Sequence, residues 1–296
     1  MPADFDPSFQ NPHWAWWIVL YFFVGGMTGG IAFAAGWLHL FGESGDRPAV
    51  RLGHLLAFPL IVLSSAFLIV DLGQPLRFWH MIFESERFPL PILKAYSPMS
   101  FGSSILFVFG LVAFLAFANE VIGRGGWFRN GNPIGTILSV LGALSGLALA
   151  GYTGALLNVS NEPVWGNSPL ISALFLFSGL STGIALLRLV ARRVPGATLE
   201  KLSEADTYLV LLELIALAAF LVPLGALGSR FIFSRPTAIL FGIVILLGLL
   251  VPLVLHWQPR LAGGARAAAT VASLLVLLGG FVLRWAVLAS PQGIGL

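Results

Sequence analysis

Residues 14–41 read WAWWIVLYFFVGGMTGGIAFAAGWLHLF, 28 positions without one Asp, Glu, Lys or Arg. About 20 apolar residues in a helix already cross the hydrocarbon core of a bilayer, so this stretch predicts a membrane span. Working outward, seven further apolar runs predict helices over 52–72, 98–122, 134–157, 170–191, 206–228, 237–256 and 267–289. Turn and breaker residues separate most of them: GESGDRP, RGGWFRNGNP, NEPVWGNSP, RRVPGA, SRP and QPRLAGG. The pattern is an all-α membrane protein of eight transmembrane helices. Composition agrees: 57% of the 296 residues are apolar and 10% are charged, against about 25% charged in a soluble domain. That balance excludes a soluble enzyme, a disordered polypeptide and a nucleic-acid-binding domain; the net charge of +3 rests on few residues. With no cysteine in the sequence, disulfides and Cys-ligated zinc or iron–sulfur centres within it are excluded. The opening MPADFDPSFQNP lacks the basic region of a secretory signal peptide.

Lys and Arg are unevenly placed. The loops and helix ends after helices 1, 3, 5 and 7 carry ten of them, from Arg47 to Arg266, and the opposite side carries five. The positive-inside rule makes the first side cytoplasmic. Both termini and the 73–97 connection then face outward from a bacterial inner membrane. That connection is the longest. It mixes Trp79, Phe83 and Phe88 with Arg77, Glu84, Glu86, Arg87 and Lys94, and reads as either a solvated interfacial loop or a partner-docking segment.

Helices 1 and 5 read alike. FVGGMTGGIAF at 23–33 and FLFSGLSTGIAL at 175–186 align Gly26 with Gly179 and Gly30 with Gly183, an offset of 153. The same offset aligns Ala66-Phe67-Leu68 with Ala219-Phe220-Leu221. The reading is two parallel four-helix bundles related by an internal repeat, 1–157 and 158–296. The four-residue glycine spacing lets helices approach closely.

Ionisable groups inside spans are expensive and are usually paired or functional. Asp71, Tyr152 and Arg284 fall at one depth in the outer half, with Arg77 and His80 just beyond. One reading is an Asp–Arg ion pair that joins helices. The other is a polar pocket in which an acid, a phenol and an imidazole bind a quinone head-group and pass its protons, beside an apolar slot for the tail. Glu213, placed about two turns into helix 6, is a proton-relay group or a protonated helix contact. The histidines lie at two levels, His13 and His80 outside and His39 and His54 inside. That admits a rival reading as a haem-b cytochrome anchor. The repeat admits another, a secondary transporter.

At VDLGQPLRFWHMI (70–82) followed by SPMSFGSS (97–104), the sequence resembles the NrfD/PsrC family of polysulfide-reductase-type membrane subunits. The resemblance continues through YFFVGGMTGG (21–30), GYTGALL (151–157), EPVWGNSPLI (162–171), SGLSTG (178–183) and LRWAVL (283–288). It implies eight helices in two bundles, no haem, and a menaquinone or ubiquinone site near the outer face. It also implies electron exchange with a ferredoxin-like iron–sulfur subunit that contacts a molybdopterin catalytic subunit. The family's helix-4 tyrosine matches Tyr152, and the Arg and His of its loop motif match Arg77 and His80. Where the polysulfide-reductase pattern has an Asn and a His in helix 1, this protein has Ile18 and Tyr21, of which only Tyr21 offers a hydrogen bond. The expected quinone site is therefore Tyr21, Asp71, Arg77, His80 and Tyr152. Glu213 and Arg284 form the expected proton relay, and Trp79, Phe83 and Arg87 the expected docking contacts. The function expected is a quinone-reactive anchor of a respiratory oxidoreductase, not catalytic alone.

Overall fold

The computed structural model describes residues 16–82, 97–129, 132–160, 164–166, 168–191, 194–225 and 235–292. Phe83, Arg87 and the rest of 83–96 lie outside the described residues, as does His13. Eight helices are long and apolar enough to cross a membrane, and no strand occurs among the described residues. They are α1 (Trp16–Phe41), α2 (Arg47–Asp71), α3 (Pro98–Val121), α4 (Pro133–Asn158), α5 (Leu170–Val190), α6 (Gly196–Leu221), α7 (Pro236–Trp257) and α8 (Ala265–Gln292). The molecule is a multi-pass membrane protein.

Local chemistry sets the helix starts. Ser97 Oγ accepts from Ser100 N ahead of Pro98, and Asn132 Oδ1 accepts from Ile134 N ahead of Pro133. Each pairs a capping residue with a proline in the first turn, where the missing N–H costs nothing. Two starts differ from the expectation. α2 begins at Arg47 rather than 52, and α6 at Gly196 rather than 206. The added residues, RPAVR in α2 and GATLEKLSEA in α6, carry charges among their apolar positions and so escape a search for apolar runs. Glu213 therefore sits nearly five turns into α6, not two. At the other end α6 gives way to a 3₁₀ turn, Val222–Leu224, at Pro223. In α7 a π-helical stretch, Val244–Leu250, precedes Pro252. Proline has no N–H to give and its ring crowds the carbonyl four residues back, which loosens the preceding turns.

α1 and α5 are the central pair: 78% and 67% of their spanning windows are buried, against 28–33% for α2, α3, α4 and α6. In the first half α1 packs on α2 and α4, and α3 closes the ring between them. In the second, α5 packs on α6 and α8, with α7 between those two. This arrangement is consistent with two four-helix bundles. The repeat-matched glycines of α1 and α5 face one another at the crossing. A Cβ at Gly183 would lie 2.5 Å from Gly30 C and Ile31 N, and one at Gly179 would lie 2.9 Å from Gly26 O. Only glycine permits backbones this close.

The halves are also tied at the end where α1 turns into α2. Asp46, buried in that turn, accepts from Thr198 Oγ1 at 2.6 Å and Lys201 Nζ at 3.0 Å on the polar extension of α6. Its other contact, from Glu43 N at 2.8 Å, holds the turn itself.

Candidate functional site

At the opposite end of the first half, α1, α2, α3 and α4 surround a cavity of about 90 Å³. Tyr21, Asp71 and Tyr152 line it, with Leu68, Leu72, Met81, Met99, Ser103 and Leu156 among the walls. Tyr152 is fixed from two sides. Its hydroxyl donates to Pro98 O at 2.6 Å, and its ring lies over Gly102, where any added Cβ would strike it. The Gly102 backbone also hydrogen-bonds to this oxygen, and of its two lone pairs one remains for a further donor. The Tyr21 hydroxyl has no hydrogen-bond partner among the described residues, and Tyr152 is its polar neighbour. Asp71, the last residue of α2, is half-buried and makes no ion pair among the described residues.

The cavity opens sideways. Leu68, Leu72, Met81 and Ser103 also line an apolar groove of about 530 Å³ between α2 and α3. Phe58, Ile61, Leu106, Phe107 and Phe114 continue it toward the membrane centre. From Phe58 to Leu72 it follows about 21 Å of helix. Its outer wall is open to lipid: Val62, Phe107, Leu111 and Phe114 are exposed. The 3₁₀ segment Pro75–Met81 caps its upper end with Phe78 and Met81.

Of the five expected quinone residues, Tyr21, Asp71 and Tyr152 are brought together. Arg77 and His80 are not among the residues lining the cavity. Both are exposed on the 3₁₀ segment: Arg77 Nη1 donates to Gln74 Oε1 at 3.0 Å, and the His80 ring stacks on Trp79 with centroids 3.7 Å apart. The spacing of the motif alternates residues between groove and surface, and these two fall on the surface.

Arg284 does not pair with Asp71, so the inter-helix Asp–Arg bridge is not formed. It is fully buried among α1, α5 and α8, donating to Ser178 Oγ at 2.8 Å, Gly280 O at 2.7 Å and Phe22 O at 3.2 Å. Its guanidinium also lies over the Phe175 ring, 5.3 Å from the centroid. The neighbouring peptide carbonyls and aromatic face replace its water shell. Glu213 on α6 is buried with Ser178 and Arg284 as its polar neighbours.

One turn further along α5, Ser181 Oγ donates to Asp206 Oδ1 at 2.9 Å, and Arg188 Nη1 reaches Asp206 Oδ2 at 2.8 Å and His256 Nε2 at 3.2 Å. Arg284, Ser178, Glu213, Ser181, Asp206, Arg188 and His256 thus form a polar column along the second half. Sequence reasoning named only Glu213 and Arg284. The sequence reading puts Asp206 at the start of helix 6 and counts Arg188 among the charges of the cytoplasmic side; both side chains are buried. A second cluster was missed in the first half. Arg47 and Glu120 pair at 2.7 Å, and His54 Nδ1 lies 3.0 Å from Glu120 Oε1. Glu120 fell within the expected span of helix 3, and that was the available signal.

The sequence matches the family described as "Polysulphide reductase, NrfD" over residues 7–294. The protein belongs to the NrfD family. Its relatives include the "Protein NrfD homolog" of Haemophilus influenzae, 26% identical with 99% of each sequence covered. "Protein NrfD" of Escherichia coli is 28% identical with 96% of each covered. The C subunit of the polysulfide reductase of Wolinella succinogenes is 27% identical over 58% of this protein and 56% of its own length. That last name makes the Wolinella protein one subunit of several.

Proposed function

We propose that this protein is the quinone-reactive membrane subunit of a multi-subunit respiratory oxidoreductase, anchored in a bacterial inner membrane. The observation that supports it best is the continuity of the Tyr21–Asp71–Tyr152 cavity with the apolar groove between α2 and α3. A quinone has a small polar head and a long apolar tail, and such a site needs a few placed polar groups at the end of an apolar slot open to the bilayer. A bound quinol supplies two electrons and two protons. Tyr152 Oη, already donating to Pro98, accepts from one quinol hydroxyl. Tyr21, whose hydroxyl is unpartnered among the described residues, donates to the second oxygen. Asp71 takes the two protons one after the other at its carboxylate and passes each to water at the membrane edge, while the two electrons leave to the partner subunit.

The sequence has no cysteine to hold an iron–sulfur centre, so electrons pass to another subunit. We assign that role to a ferredoxin-like iron–sulfur partner in contact with a molybdopterin subunit. It docks on the 73–97 segment around Trp79, Phe83 and Arg87, the last two of which lie outside the described residues. The membrane subunit is not catalytic without it. The polar column from Arg284 through Glu213 to His256 serves as a proton relay in the second half. The Lys/Arg asymmetry supports a cytoplasmic α1–α2 turn and outward termini.

Photo-crosslinking with an azidoquinone in native membranes tests the site. Label on peptides of α2, α3 and the Tyr152 turn of α4 is the expected result. Label confined to the second half overturns the assignment.

A further inference from the structure

The first half contains a small internal cavity, about 20 Å³, between α1, α2, α3 and α4. Its walls are apolar or glycine, Ala57, Phe109, Ala113 and Gly142 among them, except for His54 and Ser139. Ser139 is 2% exposed, and its hydroxyl has no hydrogen-bond partner among the described residues. A buried hydroxyl without a partner is costly to leave dry. His54 gives Nδ1 to Glu120, and its Nε2 has no hydrogen bond among the described residues. Two unpaired polar groups therefore line a space large enough for one water, whose minimum is about 10–15 Å³ and two polar partners.

We propose that this cavity binds one water molecule, which accepts from Ser139 Oγ–H and donates to His54 Nε2, and that His54 is thereby a proton-exchanging group within the first half. The donor order is fixed by the neighbours. Glu120, held by Arg47 at 2.7 Å, accepts from Nδ1–H, which leaves Nε2 as the acceptor. Protonation adds one proton from solvent at Nε2, delivered through the water, and breaks no other bond. The imidazolium then faces the Glu120 carboxylate. The charged or titratable groups around it are His39 of α1, Arg47 of α2 and Glu120 of α3; α4 contributes only Ser139 as a polar wall residue, and the turn before α4 contributes the Phe128 ring, 4.1 Å from the imidazole.

The second half has a related cluster with a different outcome. Glu120 and His256 are each the next-to-last residue of their helices, α3 and α7. His54 on α2 and Asp206 on α6 differ by 152 positions, one short of the repeat. The carboxylate and the imidazole have exchanged helices. In the second half Arg188 occupies His256 Nε2 at 3.2 Å. In the first, that position is open to the cavity.

The test uses the full-length protein in bilayers, labelled with ¹⁵N-histidine, and reads magnetisation transfer from water to each imidazole. His54→Gln assigns the signal. Transfer to His54 is expected in the parent protein, and it should weaken in Ser139→Ala. It should vanish in Gly142→Ala, whose methyl meets only Val112 Cγ1, at 3.6 Å, and fills the space without removing either polar group. The exposed His80 should report water contact in every variant. Reversible conversion of the His54 ring between neutral and imidazolium forms as pH falls completes the expectation. No transfer to His54 in the parent, transfer unchanged in both variants, or a ring charge that does not respond to pH overturns the proposal. Quinone plays no part in the measurement, so its failure is separate from failure of the quinone assignment.

Discussion

Tyr152 concentrates the chemistry of the outer cavity in one oxygen. Tyr152→Phe keeps the ring against Gly102 and removes the hydroxyl. A lost hydrogen bond is worth about 0.5–1.5 kcal/mol, so quinol turnover of the assembled complex should fall roughly two- to twelve-fold. Normal turnover and inhibitor affinity in that variant would remove Tyr152 from the site. Glu213 poses a different question, because a carboxyl beside Ser178 and Arg284 is either a carrier or a contact. Glu213→Gln preserves size and hydrogen bonding while ending proton exchange. Slower turnover with unchanged thermal stability is expected of a carrier; loss of stability with unchanged turnover identifies a contact. These two residues are legible in the sequence because each stands alone among apolar neighbours. Asp206, Arg188 and Glu120 are not, because each lies within two turns of an apparent helix end, where a charge is ordinarily taken to face water. Their partners come from helices 18 to 73 residues away, a distance at which sequence carries no pairing signal.

At the scale of elements, the spans are readable wherever apolar composition and helix coincide. α3, α4 and α5 match their expected limits to within a residue. α6 does not, because its first ten residues mix polar and apolar ones, held by Asp46 and by the packing of Leu199 and Leu202 rather than by lipid. The repeat is legible through its glycines, and their packing gives a sharp contrast. Gly183→Ala puts a methyl 2.5 Å from backbone atoms of α1, whereas Gly151→Ala meets nothing within 4 Å. Overpacking of a close helix contact costs about 1–3 kcal/mol. Thermal denaturation in detergent should therefore show Gly183→Ala clearly destabilised and Gly151→Ala at or above the parent. Equal stability of the two would mean that the α1–α5 crossing relaxes freely.

For the molecule as a whole, sidedness decides which compartment the proposed quinone cavity and the polar column serve. The native sequence has no cysteine, so single cysteines report without background. A Cys in place of Ser44, in the α1–α2 turn, should be labelled only from the cytoplasm, and one in place of Gln74 only from outside. The reverse pattern would move the cavity to the cytoplasmic face and detach it from the proposed partner.

The α1–α5 crossing also bears on how such a protein changes over generations. Position 30 meets 179 and 183 meets 30, so a Cβ gained on either helix collides with the copy of its own motif. The seam is held in common, and neither half can drift there alone. Away from the seam no such constraint applies. The counterpart of Asp71, 153 positions on, is Leu224, a buried apolar residue. The likeness of the halves is thus kept at the joint, while their peripheries differ: the cavity at Asp71 belongs to one, and the column from Arg284 to His256 to the other.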